Sequence, residues 1–195
     1  MRTAAKWVAG KRHLRSAERG FTLVETMVSM FVLTVGLLSL LGVMGMAMAR
    51  TEGAQQLAIS KQLANEALES ILTARETANV QWSLIQNTGA GGIFLSGFNP
   101  IYQPGADGII DTADDAAAGY QTLILPGPDG IYGTADDQVL PLSNYQRQVQ
   151  IAQANDNLGN PIAGLRAVTI TIQYFPPGFK VAQNYVMTTF VSAYR

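Results

Sequence analysis

The chain has 195 residues, a formal net charge of −1, no cysteine and a single histidine, His13. The lack of thiols excludes a disulfide scaffold and thiolate chemistry, and one histidine in an N-terminal basic stretch nearly excludes His-based metal or acid–base sites. The length suits one modest domain plus one long helix.

The small net charge conceals an asymmetry. Residues 1–20 carry Arg2, Lys6, Lys11, Arg12, Arg15 and Arg19 against Glu18, whereas residues 21–195 carry seven basic and thirteen acidic side chains. A short basic flank ahead of an apolar segment stays on the cytoplasmic side. The acidic remainder argues against nucleic acid as a partner, because little would neutralise phosphates.

From Thr26 to Ala49 no residue is charged. Twenty-four residues at about 1.5 Å each give roughly 36 Å of helix, enough for a hydrocarbon core of about 30 Å. A secretory signal has a shorter apolar region, of about 7–15 residues, followed by its cleavage site. Here the run is longer and the candidate processing site precedes it, so a plain signal anchor competes with a second reading.

That second reading comes from the junction Arg19-Gly20-Phe21-Thr22-Leu23-Val24-Glu25. It resembles the prepilin signature of type IV pilins and type II secretion pseudopilins. The resemblance implies that a membrane prepilin peptidase cuts after Gly20, that Phe21 becomes the N-methylated first residue, and that Glu25 serves assembly. The chemistry agrees: glycine at the cut lets a protease approach the backbone with no Cβ in the way. An unpaired Glu25 carboxylate at the edge of an apolar helix is costly, and a neighbouring subunit's N-terminal ammonium would offset that cost. The plainer alternative is an interfacial glutamate facing headgroups. Gly36, Gly42 and Gly45, with Ser29, Thr34 and Ser39, permit either close helix approach in lipid or local stretching on assembly.

Beyond Arg50, Leu57, Ile59, Leu63, Leu68, Ile71 and Leu72 recur at helical spacing, with Gln, Lys and Glu between them. One helix is therefore predicted from Thr22 to Thr77, about 80 Å long. Gly36-Leu37-Leu38 and the later Leu63, Ala64, Ala67, Leu68, Glu69 and Ile71 resemble the PilV group of minor pilins. Val80 to Gly119, rich in Gly, Asn, Pro and Asp, reads as a long irregular connection of the functional or mobile kind.

Within and after that connection, Gly105–Asp115 recurs twenty-two residues later as Gly127–Asp137, with eight of eleven positions identical. The two copies gather Asp107, Asp111, Asp114 and Asp115, then Asp129, Asp136 and Asp137. Hard carboxylate oxygens on glycine-bent loops suit Ca²⁺, which would relieve their mutual repulsion. The spacing is not that of an EF-hand loop. Two other readings stand beside calcium: Asp/Gly turns whose side chains cap local amides, and direct contact with a partner or substrate.

The remaining predicted elements are strands: Tyr120–Leu125, Val139–Leu142 with Tyr145–Ala152, Ala167–Phe175 and Tyr185–Ala193. Val168, Ile170, Ile172 and Tyr174 alternate with polar residues, as a sheet with one packed face requires. Asn155–Gly164 and Pro176–Gly178 supply turns. Trp82, Phe94, Phe98, Tyr102, Tyr120, Tyr132 and Tyr145 are expected mostly in packing.

The fold class is α+β: a long N-terminal helix followed by an antiparallel sheet of three to five strands against its second half, the type IV pilin architecture. The expected divisions are a leader at 1–20, a membrane or filament-core segment at 21–50, a soluble helical segment at 51–78 and a head at 79–195. The leading functional expectation is a minor pilin or pseudopilin, inserted in the bacterial inner membrane with its head outside the cytoplasm. Its partners would be the prepilin peptidase, other pilins and an assembly platform, and it would later stand in a pilus, a pseudopilus or on the cell surface. A different class is a membrane-anchored, calcium-dependent adhesion module. An anchored hydrolase using the carboxylates of 107–137 ranks third, for want of a Ser/His or Cys/His set.

Overall fold

The computed structural model describes residues 20–176 and 181–194, so the leader as far as Arg19, His13 and part of the expected Pro176–Gly178 turn lie outside the described residues. The chain divides into two units, Met1–Met48 and Ala49–Arg195.

The long helix, α1, runs from Leu23 to Glu76, one residue inside the expected bounds at each end. Its start is set by Thr22, whose carbonyl accepts the Glu25 and Thr26 amides at 3.1 and 3.2 Å. In the first unit every described side chain is exposed, including Leu, Val, Phe and Met throughout the run. The hydroxyls there are satisfied internally: Thr26, Ser29, Thr34 and Ser39 donate to the carbonyls of Leu23, Glu25, Met30 and Val35 at 2.7–2.9 Å. Such back-bonding removes the cost of carrying a hydroxyl in an apolar solvent. By length and composition α1 can cross a membrane.

In the second unit α1 buries a stripe of Ile59, Ser60, Leu63, Ala64, Ala67, Ile71 and Ala74. The alanines, not only the leucines, make the contact face: Ala64 and Ala67 are fully buried, while Leu57 is 39 % exposed and Leu68 and Leu72 sit at its margin. Small side chains let the sheet approach the helix closely. The helix ends where Ala78 takes a left-handed φ of 56°, and the Val80 amide bonds back to the Ala74 carbonyl.

Four antiparallel strands cover that stripe: β1 (Asn99–Pro100), β4 (Tyr145–Asn155), β5 (Pro161–Tyr174) and β6 (Gln183–Ser192), in the order β1-β4-β5-β6. Tyr145 pairs with Tyr174, Val149 with Ile170 and Ile151 with Val168, and Ile170 in turn pairs with Met187. The expected alternation holds, since Val168, Ile170, Ile172 and Tyr174 all face the core.

Three expectations are corrected. Thr122–Leu125 (β2) and Gln138–Pro141 (β3) pair with each other as a separate two-stranded ribbon. A 3-10 turn at Leu142–Asn144 turns the chain before β4, so Val139–Leu142 does not continue into the main sheet. The Val80–Gly119 connection is not a loose excursion either. It drives Ile85, Phe94, Ile101, Ile109 and Ile110 into the core and carries a short helix, α2 (Asp115–Ala118). The Asn155–Gly164 turn is shorter than expected. Asp156 accepts the amides of Leu158 and Asn160 at 2.9 and 2.8 Å, and β5 already begins at Pro161.

Candidate functional site: the N-terminal junction and the paired Asp/Gly loops

At the junction, residues 20–22 are non-helical and exposed, and Phe21 is 75 % exposed. The bond between Gly20 and Phe21 thus lies in exposed, non-helical backbone ahead of α1. A Cβ added at Gly20 would meet nothing within 4 Å. Nothing in the described chain demands glycine there. Glu25 occupies the first helical turn. Its amide is capped by the Thr22 hydroxyl at 3.3 Å, in the Thr-x-x-Glu arrangement of a capping box. The positive end of the helix dipole favours a carboxylate there, and among the described residues no cation pairs with it.

The two Asp/Gly copies fold into the same turn. Asp107 Oδ1 accepts the Ile109 amide and Asp129 Oδ1 the Ile131 amide, both at 2.8 Å. Asp114 Oδ2 accepts the Asp107 amide at 3.3 Å, and Asp136 Oδ2 the Asp129 amide at 3.4 Å. The Thr112 and Thr134 hydroxyls donate to Asp114 and Asp136 at 2.7 and 2.6 Å. These hydroxyl bonds are the main reason the Asp114 and Asp136 carboxyls titrate below the ordinary range, helped by the backbone amides. The shared glycines are forced as well. A Cβ at Gly105 or Gly127 would lie 2.2 or 2.3 Å from the Asp114 or Asp136 carboxylate, and Gly108 and Gly130 both hold φ at 70°. The repeat is therefore a self-bonded turn in which most identical positions have a local structural task.

The copies differ in what surrounds them. In the first, Ile109 and Ile110 are buried and the Ile110 amide reaches the Ser70 hydroxyl of α1 at 3.2 Å. In the second, Ile131 and Tyr132 are 60 % and 66 % exposed. Asp115 is buried and accepts from Gly105 N at 2.9 Å and Thr112 N at 3.1 Å. Its counterpart Asp137 accepts from Gly133 at 2.6 Å but leaves Oδ1 without a partner. Asp107, Asp114 and Asp115 each bring a carboxylate oxygen within 4.8 Å of the others. Among the described residues Asp129, Asp136 and Asp137 form no such group.

Asp111 stands apart from that convergence. It takes a left-handed φ of 66° where the second copy has Gly133 at 85°, a conformation glycine accepts freely and a Cβ disfavours. Its carboxylate is buried beside Arg147 of β4, with Nε 3.8 Å from Oδ1. Burial pushes the Asp111 carboxyl up to about 6; Arg147 pulls it back and Asp115 raises it further. Asp111 Oδ2 and Arg147 Nε and Nη1 lack hydrogen-bond partners. Arg147, Thr22 and the two loop threonines were not marked as site residues by sequence reasoning. A threonine three residues before Glu25 was a readable capping signal, whereas nothing in the sequence pairs Arg147 with Asp111, thirty-six positions earlier.

Comparison with known proteins bears on the N-terminus alone. Residues 15–41 match the model of the prokaryotic N-terminal methylation motif, so the junction and the first part of α1 form a prepilin-type N-terminus. No curated protein and no solved structure matches the chain.

Proposed function

We propose that the chain is a minor type IV pilin or pseudopilin subunit. It is inserted as a precursor, cut after Gly20 by prepilin peptidase, and assembled through residues 21–50 into an envelope filament or its priming complex. The observation that carries this reading is the methylation motif over residues 15–41, joined to an uninterrupted helix that starts at Leu23 and leads into an α+β head. The subunit's role is structural. Apolar helices stack in the filament core, and the head provides the outer surface. Before assembly the apolar run anchors the precursor in the inner membrane with the basic leader in the cytoplasm.

Glu25 is the residue expected to act only in assembly. Its carboxylate pairs with the N-terminal ammonium of a neighbouring subunit, a bond worth most when both groups leave water. The Glu25→Ala subunit is expected to insert and mature normally but to be nearly absent from sheared filaments. Immunoblots of membrane and sheared fractions check this, and undiminished incorporation would remove the pairing role.

A second reading concerns the first Asp/Gly loop and is favoured by the convergence of Asp107, Asp114 and Asp115. Three carboxylates at that separation repel one another, and a Ca²⁺ ion held by them would offset the repulsion. Adding calcium to chelator-treated protein is then expected to raise its melting temperature, and Asp107→Asn to remove the rise. A melt indifferent to calcium would leave the loop as a hydrogen-bonded turn and retire the adhesion module built on it.

A further inference from the structure

The four-stranded sheet has two edges, and the chain treats them differently. On the β4 side, β1 pairs with Gln146 and Arg147. Just beyond, the Asn87 side chain stands in for a strand: its Nδ2 donates to the Val149 carbonyl at 2.7 Å, and its Oδ1 accepts the Ile151 amide at 2.8 Å. On the other side, β6 pairs with β5 alone, and among the described residues no strand pairs with its outer edge.

The register says which backbone groups that edge presents. The Ala193 amide donates to the Gly164 carbonyl at 2.7 Å, and Leu165 stands opposite Ser192. Bonded and non-bonded pairs alternate along an antiparallel ladder. Tyr185, Met187, Thr189 and Val191 therefore bond β5, while the N–H and C=O groups of Asn184, Val186, Thr188 and Phe190 point away from it. Ser192 belongs to the same outward set, and its carbonyl is already taken by the Arg75 guanidinium at 3.0 Å, which closes that end.

A row of open backbone groups is a template for another strand, and proteins commonly guard it with charge, proline or a bulge. Here none of these is present. No charged residue and no proline occurs from Val181 to Ser192, and the pairing of β6 with β5 is unbroken. Tyr185 and Met187 pack on the core, whereas Val186 and Phe190, on the opposite face, are 55 % and 64 % exposed.

We infer that the outer edge of β6 takes up an extended, uncharged strand of another protein, antiparallel to β6 and bonded to Asn184, Val186, Thr188 and Phe190. Main-chain bonds supply the attachment, and side chains set against Val186 and Phe190 supply the preference. The inference goes beyond the proposed subunit role and rests on it only in excluding a second copy. Tyr174, which pairs with Gln183, lies by Glu52 of α1, and Ser192 lies by Arg75, so β6 runs in the same sense as that part of α1. Two copies joined antiparallel through β6 would point those helices in opposite directions, whereas subunits of one filament point the same way.

Amide hydrogen exchange of the full chain, read residue by residue, tests this in detergent solution, in native membranes and in sheared filaments. In dilute detergent solution the amides of Val186, Thr188 and Phe190 are expected to exchange fast, and those of Met187, Thr189 and Val191 slowly. In membranes or filaments the first three should slow at least tenfold. Thr188→Lys, which puts a charge on the edge, should abolish that slowing and leave the second three unchanged. Benzoylphenylalanine in place of Val186 should then give an adduct heavier than the chain by the mass of a different protein. Equal, fast exchange in every fraction would overturn the strand addition, and a chain that nonetheless begins at Phe21 and enters filaments would leave the subunit role intact. Slowing that Thr188→Lys does not touch would overturn it as well. So would an adduct of twice the chain's mass, or slowing in detergent that grows with protein concentration, either of which would assign the edge to a second copy.

Discussion

Arg147→Met is expected to destabilise the head by about 3–5 kcal/mol at neutral pH, the usual cost of leaving one partner of a buried ion pair alone. For a domain of this size that lowers the melting temperature by roughly 10 °C. The cause is Asp111, which is 3 % exposed and loses the one cation that draws its carboxyl down. Adding Asp111→Asn to Arg147→Met should restore most of the loss, because the carboxylate that lost its cation is then gone.

The same pair gives a pH dependence with a definite sign. The folded Asp111 carboxyl is pushed up to about 6 from 3.8, chiefly by burial. Between those values the folded chain holds a proton that the unfolded chain has released. Stability from this group therefore falls as pH rises from about 4 to about 6 and is level above that, a change of about 3 kcal/mol at most. In Arg147→Met the fall should extend beyond pH 6, because the arginine's downward pull is gone. In the double variant it should vanish. Thermal melts of the detergent-solubilised chain across pH 4–8 read all three, and a flat profile for Arg147→Met would refute the buried pairing.

The second large effect is all or none. Gly20→Phe places a bulky side chain at the bond to be cut, in backbone that is open and exposed on the chain's own side. Since no contact within the described chain depends on Gly20, the variant should fold and insert like the wild type. It should accumulate as uncut precursor and be missing from filaments. Maturation at the normal rate would remove the peptidase assignment, whatever the fate of the head.

Helix α1 was legible almost to the residue, because its signals are local: an unbroken apolar run, a stripe at period 3.6 and no proline. Strand β5 was legible for the same reason, its alternation being strict from Val168 to Tyr174. The core contributed by Ile85, Phe94 and Ile101 was not, since each is a lone aliphatic or aromatic residue among Gly, Asn and Pro. Burial there is decided by tertiary placement and leaves no period. The β2–β3 ribbon is not legible, because a short 3-10 turn at Leu142–Asn144 looks, in sequence, like an interrupted strand. The repeat is legible as a repeat, but the surroundings of its seven aspartates are not. The structure separates them by surroundings: Asp111 faces an arginine, three others in the first copy converge, and the second copy is more exposed.

The central claim is tested most directly by the N-terminal residue and intact mass of the protein taken from native membranes. The expected result is a chain beginning at Phe21, with the mass of residues 21–195 plus one methyl group. A chain still beginning at Met1 would contradict it and leave an ordinary anchored protein.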